Sequence, residues 1–239
     1  MRAGDTFNVS CLMSGQVNCP DAAGPDFDFG SSAVLTKLRD GSRLLVLAQK
    51  SGALYAVDPD HQGRVVWQSQ VGKGGVLGGI EWGIAFDGNR IYVPLSDLAF
   101  LPPEAADLPS NPDPTQGGGM FAFKIENGER LWMTPPPGCG DHRPCSPAQS
   151  AAVSAIPGAV FSGSVDGHIR AYSTAEGKII WDYDTAHEYR TVNGVAGRGG
   201  SLNAGGPVIA GGTVLINSGY SQFGEVQGNV LLAFTVDGR

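Results

Sequence analysis

The chain has 239 residues, which is enough for one large β domain or two smaller domains. Its 16 Lys and Arg against 23 Asp and Glu give a formal net charge of −7, which argues against a nucleic-acid-binding surface, because such a surface needs clustered basic residues. Glycine supplies 36 residues, roughly twice its usual share, and so predicts many tight turns. No run of about eighteen apolar residues predicts a membrane span.

Four cysteines form two local pairs, Cys11 with Cys19 and Cys139 with Cys145. An even number in turn-rich segments favours two disulfides over free thiols, and neither pair has the spacing of a zinc knuckle. Disulfides indicate export, although residues 1–16 lack the basic region and apolar core of a secretory signal. We therefore expect a periplasmic or secreted protein, with an N-terminal segment over 1–20, a β domain over 21–239, and its signal on a missing N-terminal part.

Two acids precede the first strong β run, in the stretch Gly24–Gly52. Asp26 and Asp28 alternate with Phe27 and Phe29, so an extended backbone would point both carboxylates to one side and both rings to the other. Paired carboxylates suit a metal or a general base. A surface loop rich in Asp and Gly is the alternative.

A repeated unit follows, in which a β run carrying an alanine is joined by a Gly-containing turn to a second run that ends in tryptophan. The alanine and the tryptophan are ten or eleven residues apart in each complete copy. The fourth copy contains no tryptophan, because the sequence ends at Arg239 within that copy. The alanines are Ala56, Ala122, Ala171 and Ala233, and the tryptophans are Trp67, Trp132 and Trp181.

A further β run precedes each of these hairpins, at 44–48, 90–94, 159–163 and 213–217. Each unit is therefore a small antiparallel sheet that cannot bury both of its faces alone, and radial stacking of such sheets gives a β-propeller. The sequence predicts an all-β fold of four-stranded antiparallel blades, about four in number. The alanines suit tight contacts between blades, and the tryptophans suit plugs in the same interfaces.

Three segments are inserted between the repeats, and each is predicted to be a surface loop. Residues 98–118 are rich in proline and show no β period. Residues 135–150 contain the second cysteine pair. Residues 184–207 are rich in glycine, which indicates either close backbone approach to another group or a disordered rim.

Four motifs along the chain, taken in order, carry a family resemblance. They are Pro25-Asp26-Phe27-Asp28 with Val34-Leu35, the run Lys50–Asp58, Gly78-Gly79-Ile80-Glu81-Trp82, and the run Gly158–Trp181. Their order resembles the quinoprotein alcohol dehydrogenases that use pyrroloquinoline quinone, most closely the polyvinyl alcohol dehydrogenase branch. The resemblance extends from about Cys19 to Arg239.

The resemblance implies a site on the propeller axis that holds pyrroloquinoline quinone and Ca²⁺. Asp26 matches the family's catalytic base, which also touches the metal, and Lys50 matches the basic residue that contacts the quinone oxygens. Glu81 and Trp82 match an Asn-Trp pair beside the cofactor. The implied reaction is oxidation of a secondary alcohol, such as a unit of polyvinyl alcohol, with hydride transfer to the quinone and electrons passed to cytochrome c.

Two departures from the family pattern shape these expectations. Glu81 places an acid where the family has an amide, so it either adds negative charge at the metal or repels the reduced quinone. The family's vicinal cysteines, its other Ca²⁺ ligands and any haem c would lie on upstream blades or on a partner. The chain is therefore expected to be the C-terminal half of an eight-bladed ring that is inactive alone. The alternative is a non-catalytic propeller of the same repeat type that acts as a binding or assembly scaffold.

Overall fold

The computed structural model describes residues 5–6, 11, 15–22, 24–101, 111–140, 144–220 and 224–237. These residues form antiparallel sheets that follow one another along the chain, three with four strands and one with three. Within each sheet the spatial order of the strands follows the order of the chain. No helix among the described residues is long and apolar enough to cross a membrane.

Each of these sheets corresponds to one predicted repeat, and we refer to them as blades 1 to 4. Blade 1 contains β1 (Val34–Lys37), β2 (Arg43–Ala48), β3 (Ala53–Asp58) and β4 (Arg64–Gln70). Blade 2 contains β5 (Ala85–Phe86) and β6 (Arg90–Leu95), then, after the inserted strands β7 (Phe100–Leu101) and β8 (Asn111–Pro112), β9 (Gly119–Lys124) and β10 (Arg130–Thr134). Blade 3 contains β11 (Val153–Ile156), β12 (Ala159–Gly163), β13 (His168–Ser173) and β14 (Ile179–Asp184). After the inserted strands β15 (Glu188–Arg190) and β16 (Ala196–Arg198), blade 4 contains β17 (Val208–Ala210), β18 (Thr213–Ser218) and β19 (Val230–Thr235).

The β runs predicted ahead of the hairpins are confirmed. They fall within β2, β6, β12 and β18, where alternating apolar side chains produce the expected half-buried pattern. In each complete blade the register between the third and fourth strands shifts once, at Ala56, Arg130 and Ala171. The recurrence of this irregularity supports the interpretation of the blades as copies of one unit.

The tryptophans join neighbouring blades, as predicted. The indole Nε1 of Trp67 donates to the carbonyl oxygen of Ile125, 2.9 Å away in the next blade. Its ring covers Gly128, where an added Cβ would lie 2.5 Å from the indole and where φ is +70°. Trp132 repeats this contact with blade 3, because its Nε1 donates to Thr174 O at 3.1 Å. The turn glycine and the tryptophan are therefore one interlocking pair.

The apolar core lies between the blades rather than within any one of them. Blade 1 places Val46 and Ala56 against Ile91 and Phe121 of blade 2. The next interface brings Tyr92 and Met120 of blade 2 against Val160 and Tyr172 of blade 3. Since each sheet buries its side chains against its neighbours, stability depends on stacking, as it does in repeat proteins.

The inserted segments contain more β structure than the sequence predicted. The expectation that 98–118 has no β structure is wrong at its two ends, where β7 and β8 pair; residues 102–110 lie outside the described part. The segment 184–207 contains the β15–β16 hairpin rather than a disordered rim. Its glycines permit close backbone approach, since a Cβ at Gly199 would lie 1.8 Å from Thr185 O.

Both predicted disulfides are present, Cys11–Cys19 and Cys139–Cys145. The N-terminal residues contact the first motif, because the Asp5 carboxylate accepts a hydrogen bond from Phe27 N at 2.9 Å. The division of the chain at residue 20 stays a prediction.

Candidate functional site

The loops that precede the blades lie side by side at one edge of the blade array. A Cβ at Gly30, before blade 1, would lie 2.8 Å from the carbonyl oxygen of Glu81, before blade 2. A Cβ at Gly83 would lie 2.8 Å from Cβ of Ala152, before blade 3, and a Cβ at Gly206 would lie 2.2 Å from the carbonyl oxygen of the same alanine. Since these loops lead into the first strand of each sheet, they line the inner edge of the propeller.

Backbone hydrogen bonds define which loop residues are equivalent. Ile80 N donates to Gln49 O at 3.2 Å, and Leu202 N donates to Ser164 O at 3.1 Å. The corresponding bond before blade 3 joins Gln149 N to Leu95 O at 3.2 Å. The residues that follow these three donors are Glu81, Ser150 and Asn203, and all three side chains are buried at the inner edge.

Asp26 and Asp28 do not share one side of an extended segment, so that expectation is wrong. Asp26 has φ +60°, and Asp28 N donates back to Asp26 O at 3.2 Å, which folds the chain between them. As a result Asp26 is 5% exposed, whereas the side chain of Asp28 is 61% exposed. The two acids therefore have different environments and different chemistry.

Lys50 lies between the turn that carries Asp26 and Asp28 and the loop that carries Glu81. It forms an ion pair with the exposed Asp28. Its Nζ is 3.0 Å from the Asp28 carboxylate, and its backbone N donates to Asp28 O, also at 3.0 Å. The ion pair forms with Asp28 rather than Asp26, because the turn at Asp26 separates the two carboxylates. The ammonium group still acts electrostatically on both Asp26 and Glu81.

The loop over 71–81 packs against Gln49 and Lys50 and so places Glu81 near Lys50. The Asp97 carboxylate holds this loop by accepting hydrogen bonds from the backbone N of Lys73, Gly74 and Gly79, at 2.8 to 3.0 Å. Gly79 has φ +66°, and a Cβ there would lie 2.0 Å from Lys50 O. Only glycine permits this close approach, which accounts for the Gly78-Gly79 pair ahead of Glu81.

The two buried carboxylates are electrostatically unusual. Burial raises the pKa of Glu81 to about 7, the nearby Asp28 charge adds to the rise, and Lys50 opposes it. Burial also raises the pKa of Asp26, with contributions from Asp28 and Asp5 and again with opposition from Lys50. Within the described part of the chain, neither carboxylate accepts a hydrogen bond. Buried acids without partners are rare in proteins and mark a position where a ligand can supply the missing interaction.

Comparisons with known proteins support the family resemblance. A model of pyrroloquinoline-quinone-type repeats, PQQ_2, described as outer membrane protein assembly factor BamB, matches residues 32–230. The chain belongs to this quinoprotein repeat family. The family resemblance stated from the sequence is confirmed.

Two curated relatives of the quinoprotein repeat chain are named polyvinylalcohol dehydrogenase. The Pseudomonas sp relative is 41% identical over 98% of this chain and 36% of its own length. The relative from Sphingopyxis sp. (strain 113P3) is 40% identical over 99% of this chain and 37% of its own length. The chain therefore spans little more than a third of the length of these relatives.

Solved structures confirm the propeller fold of the quinoprotein repeat chain. The quinohemoprotein alcohol dehydrogenase from Comamonas testosteroni matches with a TM-score of 0.57 at 13% identity, over 91% of this chain and 40% of that one. A europium-containing methanol dehydrogenase matches with a TM-score of 0.53 at 18% identity, over 85% and 40%. BamB from Moraxella catarrhalis matches with a TM-score of 0.55 at 17% identity, over 90% and 53%.

The residues of this quinoprotein repeat chain fit part of a cofactor site. Asp26 and Glu81 offer carboxylate oxygens that accept no hydrogen bond from the described residues, and Lys50 offers a cation to an anionic quinone. Among the described residues no group of three or more His, Cys, Asp or Glu side chains could hold a metal ion, so Asp26 supplies only part of what Ca²⁺ requires. Trp82 is 39% exposed beside Glu81, which leaves its ring face available to a flat ligand. The four roles stay predictions.

A second polar group, which was not predicted from the sequence, lies at the inner edge. Ser150 Oγ donates to Asn203 Oδ1 at 2.7 Å, and Asn203 Nδ2 donates to Glu225 Oε1 at 2.8 Å. A sequence signal for this group exists. Glu81, Ser150 and Asn203 precede the second strand of their blades by nine, nine and ten residues. Alignment of the segments before the repeats, as well as the repeats themselves, would have found it.

Proposed function

We propose that this chain forms part of the active site of a quinone-dependent dehydrogenase that oxidises secondary alcohols, such as the units of polyvinyl alcohol. The observation that carries the proposal is the pair of buried carboxylates beside Lys50, Asp26 and Glu81, which accept no hydrogen bond from any described residue. The names of the two polyvinylalcohol dehydrogenase relatives support the substrate class.

Asp26 is the residue that accepts the alcohol proton. A carboxylate whose pKa is raised by burial is a stronger base than one in water, and the left-handed backbone at Asp26 holds it facing inward. A bound quinone would supply the hydride acceptor, and Ca²⁺ held by Asp26 would supply a Lewis acid.

Lys50 binds and orients the anionic ligand. The ion pair with Asp28 orients its ammonium group, and the Lys50 side chain is 14% exposed. Trp82 would offer its exposed ring to a flat ligand, and the buried Glu81 would lie beside it. The acid at Glu81 is protonated more readily than an ordinary glutamate, so it can donate a hydrogen bond where the family has an amide.

We also propose that the electrons pass to a cytochrome c and that the protein acts in the periplasm or outside the cell. The support for the compartment is the pair of disulfides, which form and persist under oxidising conditions.

The test replaces the homologous segment of the Pseudomonas relative with this chain and measures reduction of an electron-accepting dye with polyvinyl alcohol. We expect activity with added quinone and Ca²⁺, and a loss of at least about a hundredfold in the Asp26→Asn variant, because general base catalysis typically contributes that much. Asp40→Asn, in the exposed turn after β1, is the matched control and should keep full activity. Full activity of Asp26→Asn would disprove its role as the base.

The scaffold alternative has one specific observation in its favour, the description of the matching family model as an assembly factor. Equilibrium titration of the chimaera with the quinone separates the two functions. A folded chimaera that neither binds quinone nor reduces dye would favour the scaffold.

A further inference from the structure

The β15–β16 hairpin stands at the same end of the propeller as the candidate site. Thr185 N donates to Gly167 O at 2.9 Å in the turn between β13 and β12, just as Val71 N donates to Gly52 O at 2.7 Å in blade 1. The segments after Val71 and Thr185 are therefore equivalent. The first leads to Glu81, and the second forms the hairpin and leads to Asn203.

Close packing holds the hairpin against the loop before β19. Asn229 N donates to Arg198 O at 2.8 Å, and Arg198 N donates to the Asn229 side chain at 2.9 Å. Gly197 admits no side chain, because an added Cβ would lie 2.5 Å from Val230 Cγ1. The hairpin is thus fixed by backbone contacts rather than by its own outward side chains.

A groove of about 940 Å³, open to solvent, lies between the hairpin and residues 227–229. Glu188 pairs with Arg198 and Arg190 pairs with Ala196 across the two strands, so these four side chains share one face of the hairpin. Neither guanidinium forms an ion pair or a side-chain hydrogen bond with any described residue. Val195 adds an aliphatic side chain that is 61% exposed.

This combination matches a chain that carries hydroxyl groups on a hydrocarbon backbone. Arg190 and Arg198 can donate to hydroxyl oxygens, Glu188 can accept from hydroxyl hydrogens, and Val195 and Ala196 can contact methylene groups. The open shape suits a segment of a long chain better than a small molecule that must be enclosed. We propose that the groove binds a segment of a hydroxylated polymer at a distance from the unit being oxidised. This proposal rests on the proposed function only for the choice of polymer.

The test measures binding of long-chain polyvinyl alcohol to the whole chain by calorimetry, with short 2,4-pentanediol as the monomer-like probe. We expect binding of the polymer and not of the diol. The double variant Arg190→Gln with Arg198→Gln should weaken polymer binding about tenfold, because two exposed charged hydrogen bonds are lost. The control Arg39→Gln removes an exposed arginine from blade 1 and should leave binding unchanged.

Three results would overturn the proposal. They are the absence of polymer binding, equal binding by the double variant, and tighter, salt-sensitive binding of poly(acrylic acid), which would make the groove an anion site. Unfolding curves of the variants exclude loss of the fold as the cause. The binding experiment tests the groove separately from the dehydrogenase proposal, since polymer binding needs no quinone. Polymer binding by a chain whose chimaera reduces no dye would retain the groove and reject the enzyme.

Discussion

Glu81 and Asn203 occupy equivalent positions before blades 2 and 4, and both are almost fully buried. Asn203 has partners on both sides, Ser150 and Glu225, whereas Glu81 has no hydrogen bond among the described residues. The same position in the fold is therefore satisfied by internal hydrogen bonds in one loop, whereas in the other it has none among the described residues. Repetition of the fold does not imply repetition of the role.

The largest expected change in the free energy of unfolding comes from replacing Glu81. Folding raises the pKa of Glu81 from 4.5 to about 7, so the folded state binds more protons between these values and stability falls as pH rises through them. Above about pH 7 the cost is fully present and amounts to about 3 kcal/mol. Glu81→Gln should therefore raise the free energy of unfolding by up to about 3 kcal/mol at pH 8 and change it little at pH 4.

Urea unfolding of the Glu81→Gln variant at both pH values checks this expectation. Glu126→Gln, at an exposed position in the turn after β9, is the control and should not alter the pH dependence. A variant that is less stable than the parent at pH 8 would show that Glu81 has a stabilising internal partner.

The opposite result is expected at the equivalent position. Asn203→Ala removes the buried hydrogen bonds that join its side chain to Ser150 and Glu225, and such a loss costs about 2 kcal/mol. Urea unfolding at neutral pH measures the change, with Asn127→Ala in the exposed β9–β10 turn as the control. If Asn203→Ala changed the free energy of unfolding as little as Asn127→Ala does, the contrast between Asn203 and Glu81 would be lost.

Lys50→Gln should have the smallest effect on stability and a clear effect on titration. Lys50 lowers the pKa of both buried acids, so its removal should move the titration of Glu81 to higher pH. Carboxyl-carbon NMR chemical shifts of Glu81 follow this directly. An unchanged titration of Glu81 would mean that Lys50 does not act on this carboxyl group.

The blades themselves were predictable because their signals are local. Alternation of apolar side chains places β2, β6, β12 and β18 within a residue of their observed bounds. Trp67 packs on Gly128 of the next blade because the large indole fits only where the facing residue has no side chain. The hairpin within 184–207 was not predicted, because its strands are three residues each and carry little alternation.

The sequence by itself determined the propeller repeat, the two disulfides and the motif order that singles out Asp26, Lys50, Glu81 and Trp82. Tertiary structure alone decided how these residues are partnered. A left-handed turn at Asp26 leaves Asp28 to form the ion pair with Lys50. Contacts between loops more than 20 residues apart provide hydrogen bonds to Asn203, whereas no described residue donates a hydrogen bond to the Glu81 carboxylate. Local patterns predict strands because residues close in sequence form them. The partners of a buried charged group come from loops that are distant in sequence, so only the tertiary structure determines them.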